Sequence, residues 1–308
     1  MTQLAIVLVN WNNREYLLAC VQSILDHAPR RPYEIWLVDD ASVDGSAAAV
    51  RERYPQLRLI ENQTKVGFTI ANNQILKQCQ ATFLLLLNVD TVVHHGALDA
   101  MCDYLEAHPD CGAVACKLLN RDGSVQRSAW HNYPSVKSVL ADSLYLWRLF
   151  PSLTSGSEVV YTYPKKPIDV DHLLGACLMT TQAIVDKVGL LDEAFKIYLS
   201  DTDWCRRMQR LGYRIVYEPS KTITHYGQGG MRNAPMQSLT SWNESLVHFV
   251  RTTVSSGAAV RVFIVKTALA IGAVLRMGLW TVRMRKDEKY GKGMRAGYTR
   301  VLRELTRY

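Results

Sequence analysis

Phe83-Leu84-Leu85-Leu86-Leu87 runs straight into Asn88-Val89-Asp90, and this stretch limits the possible fold more than any other. Five apolar residues without alternation describe a strand buried on both faces, as strands are in a parallel sheet covered by helices. An aspartate at the carboxyl end of such a strand stands where open α/β sheets bind their ligands. A carboxylate there is well placed to hold a cation against a phosphorylated substrate. The layout recurs earlier, where Ile35-Trp36-Leu37-Val38 leads into Asp39-Asp40.

Strand and helix patterns alternate through the first half of the chain. Strands are expected over 4–9, 33–38, 57–60, 83–87 and 113–119, and helices over 15–25, 47–54, 69–79 and 97–108. Such alternation predicts right-handed βαβ units and a mostly parallel sheet flanked by helices. Segment 128–167 breaks the rhythm. It is rich in Trp, Tyr, Pro and Ser, carries one expected helix at 136–150, and reads as an insertion suited to contact with sugar rings or lipid. Apolar strand character returns at 171–180, a helix follows over 201–211 with Gly212 as its stop, and a strand is expected at 213–217. The reading is one α/β domain over 1–235 and an extension over 236–308.

Charge sets the extension apart. The chain carries a formal net charge of +8, but from Arg251 to Tyr308 thirteen basic residues face three acidic ones, leaving the first 250 residues at −2. Residues 254–284 are mostly apolar, interrupted by Arg261, Lys266, Arg276 and Arg283. No uninterrupted run reaches the ~18–20 residues of a spanning helix, so the expectation is an amphipathic helix lying on an anionic membrane surface. No nucleic-acid-binding motif accompanies the basic tail. Seven dispersed cysteines without a C-x-x-C pair argue for reduced thiols rather than a disulfide framework. With no basic leader ahead of the first strand, the expected location is cytoplasmic, peripheral on the inner face of the cell membrane.

Polar clusters fall at or beyond strand ends: Asn10-Trp11-Asn12, Asp39-Asp40, Asn88-Val89-Asp90, Asp201-Thr202-Asp203 and His225. A parallel sheet brings all such ends to one rim. A nucleotide diphosphate would need a carboxylate to accept the imide N–H of a pyrimidine, a job for Asp39. It would also need hard oxygen ligands and an imidazole for a divalent cation, as Asp90 and His225 offer. A further carboxylate near an acceptor can take a hydroxyl proton.

The blocks I-V-L-V-N-W-N (6–12), V-D-D-A-S-V-D-G-S (38–46), E-N-Q-T-K-V-G-F-T-I-A-N-N (61–73), L-L-L-L-N-V-D (84–90), G-A-C-L-M (175–179), V-G-L-L-D-E-A-F-K-I-Y-L-S-D-T-D-W-C-R-R (188–207) and H-Y-G-Q-G-G (225–230) occur in this order. Together they resemble the family 2 glycosyltransferases of the GT-A fold, in particular their rhamnosyltransferase-like members. The resemblance implies an inverting, metal-dependent enzyme that moves a sugar from a nucleotide-diphosphate sugar to a glycan or lipid-linked glycan in cell-surface polysaccharide synthesis. It further implies that Asp39 contacts the base, with Asn10, Asn62 and Asn88 around the nucleotide. Asp90 would close the D-x-D-like metal motif, and His225 would complete a site for Mg²⁺ or Mn²⁺. Asp201 matches the catalytic base and Asp203 the second acidic position toward the acceptor. Ser200 departs from the pattern, standing where the family has glutamate. That departure motivates the alternative of a catalytically silent nucleotide-sugar-binding relative. Paired strand-end acids also admit a phospho-acceptor receiver module, against which length and the placement of Asp39-Asp40 after the second strand both argue.

Overall fold

The structure, a computed structural model, describes residues 2–126, 130–146, 164–227, 235–253, 257–283 and 288–307. The chain divides into two compact units, described separately. The first takes in Met1–His131, Val159–Glu193 and Ser200–Gly227, the second Asn132–Glu158, Ala194–Leu199 and Gln228–Tyr308. The units therefore do not follow a single cut at 235, because the helix after 135 and the short stretch 194–199 belong with the C-terminal helices.

The first unit opens with β1 (Leu4–Asn10), α1 (Arg14–Asp26), β2 (Tyr33–Asp39), α2 (Ser46–Arg53), β3 (Arg58–Glu61), α3 (Phe68–Leu76) and β4 (Phe83–Asn88). It continues with β5 (Thr91–Val93), α4 (Ala97–Ala107), β6 (Cys111–Leu119) and β7 (Trp130–His131). In the second unit, α5 (Val136–Ser143) follows. The first unit then adds β8 (Ile168–Asp169), β9 (His172–Leu173), β10 (Cys177–Thr181), α6 (Gln182–Val188), α7 (Ser200–Arg210) and β11 (Arg214–His225). Three helices complete the second unit: α8 (Pro235–Thr253), α9 (Ala258–Arg283) and α10 (Glu288–Glu304).

Among the described residues one sheet has nine strands in the order β3-β2-β1-β4-β10-β6-β11-β5, with β8 beside β11. β3, β2, β1 and β4 are mutually parallel, as the βα rhythm predicts, and β11 runs parallel to β6. β10 is antiparallel to both β4 and β6. The central strands are sealed on both faces, with Leu84 and Leu85 of β4 and Leu4, Ile6, Val7 and Leu8 of β1 fully buried. Burying a leucine of this kind stabilises the fold by about 1.5–3 kcal/mol. All seven cysteines are free and buried. Burial pushes the Cys79 thiol up to about 11 and the Cys102 thiol up to about 12, so these act as small core hydrophobes rather than thiolates.

Two expected strands come out differently, and both changes shape the rim. The strand expected over 171–180 is broken at Leu174-Gly175-Ala176, where Cys177 N donates to Leu174 O at 3.1 Å. The strand expected at 213–217 extends to His225 across a register shift between Glu218 and Thr222. Pro219-Ser220-Lys221 reads locally as a turn, which hides the continuation.

In the second unit, Phe195, Val247, Phe249 and Val265 form the centre of one apolar cluster, and Leu239, Ala273, Met294 and Tyr298 of a second. α10 comes close to α8 through two glycines. A Cβ on Gly293 would lie 2.6 Å from Pro235 Cγ, and one on Gly297 2.8 Å from Leu239 Cδ1. The interrupted apolar run expected near 254–284 is one continuous helix, α9, whose stretch Ala258–Trp280 is by length and composition long and apolar enough to cross a membrane.

Candidate active site

Strand register builds the rim. Asn10 of β1 pairs with Asp39 of β2, and Val9 pairs with Asn88 of β4. Across β4, Asn88 N donates to Ala176 O at 3.0 Å, and Leu87 stands opposite Cys177. Asn10, Asp39, Asn88 and Gly175-Ala176 thus share one end of four neighbouring strands, the carboxyl end of the parallel set. At a strand spacing of about 4.8 Å, this edge spans about 14 Å.

Asp39 is 3% exposed and held from two sides. Asn10 Nδ2 donates to its Oδ2 at 3.0 Å, and Ser42 N donates to its Oδ1 at 2.8 Å. Asn10 Nδ2 also reaches Ser42 Oγ at 3.1 Å. Asn10 Oδ1 is buried with no hydrogen-bond partner among the described residues. Two acceptor groups, one of them unsatisfied, therefore sit together where the base was expected. Asp40 does different work: its carboxylate accepts from Asn62 Nδ2, Val66 N and Gly67 N at 3.0, 2.8 and 2.9 Å, fixing the loop between β3 and α3. Asn62 is committed to that loop, since its Oδ1 also accepts from Gln74 at 3.0 Å. Asp44 receives Arg14 N at 2.9 Å and Ser46 N at 3.1 Å, serving the first turns of both α1 and α2. Burial raises the Asp44 carboxyl, but the hydrogen bonds from Ser46 and Arg14 outweigh it and leave it below the ordinary carboxylate range.

β11 ends antiparallel to β5 with His225 opposite Thr91. This brings His225 Nε2 to 3.4 Å from Asp90 Oδ1, with both side chains about nine-tenths buried. His225 Nδ1 faces Gln126 Oε1 at 2.8 Å. Gln126 Nε2 in turn donates to Asn120 Oδ1 and His225 O, which orients the amide. Nδ1 therefore carries a hydrogen, and Nε2 faces the carboxylate, where a proton or a cation can sit between the two groups. Among the described residues no group of three or more His, Cys, Asp or Glu could hold a metal ion. A two-ligand carboxylate and imidazole site nonetheless fits Mg²⁺ or Mn²⁺, which commonly take one or two protein ligands and complete their shell with substrate phosphates and water.

Asp201 lies in the first turn of α7, where Leu199, with φ 65°, turns the chain into the helix. Its Oδ2 accepts Gly175 N at 2.7 Å and its Oδ1 accepts Thr202 N at 2.7 Å and Thr202 Oγ1 at 3.3 Å. Because Gly175 precedes the residue bonded to Asn88, this carboxylate is tied to the same rim as Asp39 and Asp90. A side chain at Gly175 would crowd it, with Cβ 3.2 Å from Asp201 Oδ2. Gly175→Ala should therefore lower kcat about 10–100-fold through misplacement of the carboxylate, with donor KM unchanged. Steady-state kinetics on the folded variant checks this.

Asp203, expected to face the acceptor, instead forms an ion pair with Arg207, Nε to Oδ2 at 2.7 Å. The same guanidinium donates to Val188 O and Leu190 O, both at 2.8 Å, pinning the segment ahead of α7. The i,i+4 spacing of acid and arginine on one helix was the signal for this. Ser200 is buried, and its Oγ has no hydrogen-bond partner among the described residues.

Three further side chains support these residues: Gln126 and His172, which no motif announces, and Thr202, which lies within the 188–207 block. His172 is 6% exposed, with Nδ1 3.3 Å from Thr202 Oγ1. Burial holds its imidazole below the ordinary value, while the charge of Asp201 pulls the other way. The unfolded chain then takes up this proton first, starting near pH 6.5, so stability falls as pH drops through that value toward the lower folded one. Melting temperature measured from pH 7.5 to 5 should decline, and the decline should be shallower in His172→Gln.

Residues 5–155 match the family model described as Glycosyl transferase family 2. The chain is 27% identical over 242 residues to N-acetylglucosaminyl-diphospho-decaprenol L-rhamnosyltransferase of Mycobacterium tuberculosis, covering 73% of this chain and 77% of the relative. It is 23% identical over 152 residues to rhamnosyltransferase WbbL of Escherichia coli, covering 49% and 54% respectively. Among solved structures, mannosyltransferase PcManGT from Pyrobaculum calidifontis, in complex with GDP-Man and Mn²⁺, aligns over 99% of this chain and 87% of its own, with 15% identity and a TM-score of 0.59. GalNAc-T7 with UDP, GalNAc and Mn²⁺ aligns over 83% and 52%, with 13% identity and a TM-score of 0.57. At such identities the likeness to solved structures concerns the fold. Motifs, sheet order and relatives agree: the chain is a glycosyltransferase of the GT-A fold that matches family 2 over residues 5–155, with rhamnosyltransferases among its relatives.

Proposed function

We propose that the chain transfers rhamnose, with inversion, from a nucleotide-diphospho-rhamnose to a hydroxyl of a lipid-linked glycan at the cytoplasmic face of a membrane. The observation that carries this reading is the strand register, which ties Asp39, Asp90 and Asp201 to one edge within the span of a single nucleotide-diphospho-sugar. Asp39 and Asn10 receive the base, and a pyrimidine with its imide N–H between two carbonyls suits their acceptor groups. Asp201 takes the proton of the acceptor hydroxyl as that oxygen bonds to the anomeric carbon. The bond from this carbon to the diphosphate breaks on the opposite side, and the nucleoside diphosphate leaves. One displacement needs no enzyme nucleophile, in keeping with the burial of all seven cysteines. Asp90 and His225 would hold a divalent cation, Mg²⁺ or Mn²⁺, whose charge offsets that of the departing diphosphate. Thr202 and Gly175 hold the Asp201 carboxylate in place without sharing the chemistry.

The Mycobacterium relative is by name a rhamnosyltransferase of N-acetylglucosaminyl-diphospho-decaprenol, and two fold neighbours hold UDP or GDP-Man together with Mn²⁺. These support a lipid-linked acceptor and a divalent cation here. A silent, nucleotide-sugar-binding role is the rival reading, favoured by Ser200, whose buried hydroxyl offers less than a glutamate would. Incubation with thymidine- or uridine-diphospho-rhamnose and a polyprenyl-diphospho-N-acetylglucosamine acceptor tests the proposal. A glycoside of inverted anomeric configuration, identified by NMR, is expected. Donor binding without any transfer would leave the silent reading in its place.

A further inference from the structure

α9 is built inside out for a helix at a water surface. One side packs inward through Val262, Val265, Ala268 and Ala273, all at 9% exposure or less. The other carries Val260, Phe263, Ile271, Val274, Leu275 and Leu279 at 41–70% exposure. At 3.6 residues per turn these six share one broad stripe, with Thr267 inside it. The Thr267 hydroxyl donates to Phe263 O at 2.9 Å, so its hydrogen-bond need is met within the helix. Only 28% of the most apolar stretch is buried. An exposed apolar face of this extent marks an interaction surface.

Of the described charges of α9, Arg261 is exposed at the border of the stripe, in line with Leu279 five turns on, and the other two lie off it. Arg276 is turned into its own unit, donating to Ser143 O at 3.2 Å, to Asp142 O at 2.7 Å and to the Asp142 carboxylate at 3.1 Å. Lys266 flanks the stripe and, with Arg251 of α8, lines a hollow of about 470 Å³ whose other described walls are Ala258, Ala259, Val262 and Phe263. Two cations above apolar walls, with no acidic side chain among them, suit a phosphate attached to a hydrocarbon. The surrounding segment from Arg251 onward carries a net +10. α10 of the same unit exposes Lys292, Arg295, Arg300 and Arg303, and Arg307 is exposed just beyond it.

We propose that α9 lies in the plane of an anionic bilayer, its stripe immersed among acyl chains and a phospholipid headgroup phosphate seated between Arg251 and Lys266. The occupant is lipid rather than a second copy because the cations bordering the stripe would repel their own duplicates. A spanning pose is disfavoured although the helix is long enough. It would drag the Arg276–Asp142 pair, and α8 and α10 packed on the inner side of α9, into hydrocarbon. The inference rests on the reading that the acceptor is lipid-linked, and adds the surface and headgroup that would hold the enzyme to its substrate's membrane.

Sedimentation of the full chain with vesicles tests it, comparing phosphatidylcholine alone with phosphatidylcholine containing 30% phosphatidylglycerol (about one anionic lipid in three, enough to attract a polybasic surface). Wild type should pellet with the anionic vesicles and be released by alkaline carbonate. Arg251→Gln with Lys266→Gln should weaken partitioning about 10–30-fold. Phe263→Asp with Val274→Asp, both at exposed positions, should weaken it at least as much while melting like wild type. Transfer to a short-chain, water-soluble acceptor should persist in every variant; its loss from wild type would count against the glycosyltransferase reading instead. Undiminished binding by the aspartate variant, equal binding to uncharged vesicles, or resistance to carbonate would overturn the proposal. So would a wild-type dimer that the aspartate variant dissolves to a monomer.

Discussion

Asp201→Asn should lower kcat by about 10²–10⁴-fold, the usual contribution of a positioned general base, while nucleotide-sugar affinity stays at the wild-type level. The asparagine has nearly the same shape but no basic carboxylate oxygen. It also cannot reproduce both anchors: an amide accepts at Oδ1 only, whereas the aspartate accepts Gly175 N at one oxygen and Thr202 N at the other. One backbone N–H is left facing an NH₂ group, a local cost of about 1 kcal/mol, which is too small to unfold the domain. Calorimetric donor binding alongside single-turnover kinetics separates loss of chemistry from loss of structure. Transfer at the wild-type rate would remove Asp201 from the role of base.

The second large effect concerns Asp90 and His225. Transfer should cease in excess EDTA and return on addition of Mn²⁺ or Mg²⁺. Asp90→Ala should cost about 10²–10³-fold in kcat at fixed cation concentration, the scale lost when an electrostatic contact to developing charge is removed. Gln126→Leu, which frees the ring that Gln126 orients through Nδ1 at 2.8 Å, should raise the half-saturating cation concentration about 10–100-fold and leave saturated kcat near wild type. Full activity in EDTA would contradict the assignment, and an unchanged cation requirement in Gln126→Leu would detach Gln126 from it.

How far the site is legible in the sequence depends on how local its causes are. β1, β2 and β4 are evident because a strand buried on both faces writes an unbroken apolar run, and Asp39 and Asp90 stand one and three residues beyond such runs. The reversal of β10 is not evident, because an apolar run reads alike in either direction and only its neighbours fix its sense. His225 was expected beyond a short strand and instead closes a long one, carried past Pro219 by a register shift that resembles a turn. The contacts of His225 with Gln126 and of His172 with Thr202 link residues 99 and 30 positions apart, so no spacing rule could announce them. Asp203 was assigned by its place in a motif, while the arginine four residues on, which engages it, was in plain view. In the second unit, reading charges along the chain suggested an interrupted run, although the helix itself turns Arg276 away from its exposed side.

The most direct test is a crystal of the chain soaked with Mn²⁺ and a pyrimidine nucleoside diphosphate, with data collected at the manganese absorption edge. An anomalous peak between Asp90 and His225, touching the diphosphate, with the pyrimidine ring at Asp39 and the Asp201 carboxylate facing the open side of the diphosphate, is the predicted result. Manganese bound away from Asp90, or a nucleotide lodged elsewhere than along the β2-β1-β4-β10 edge, would contradict the idea that these distant carboxylates serve one substrate.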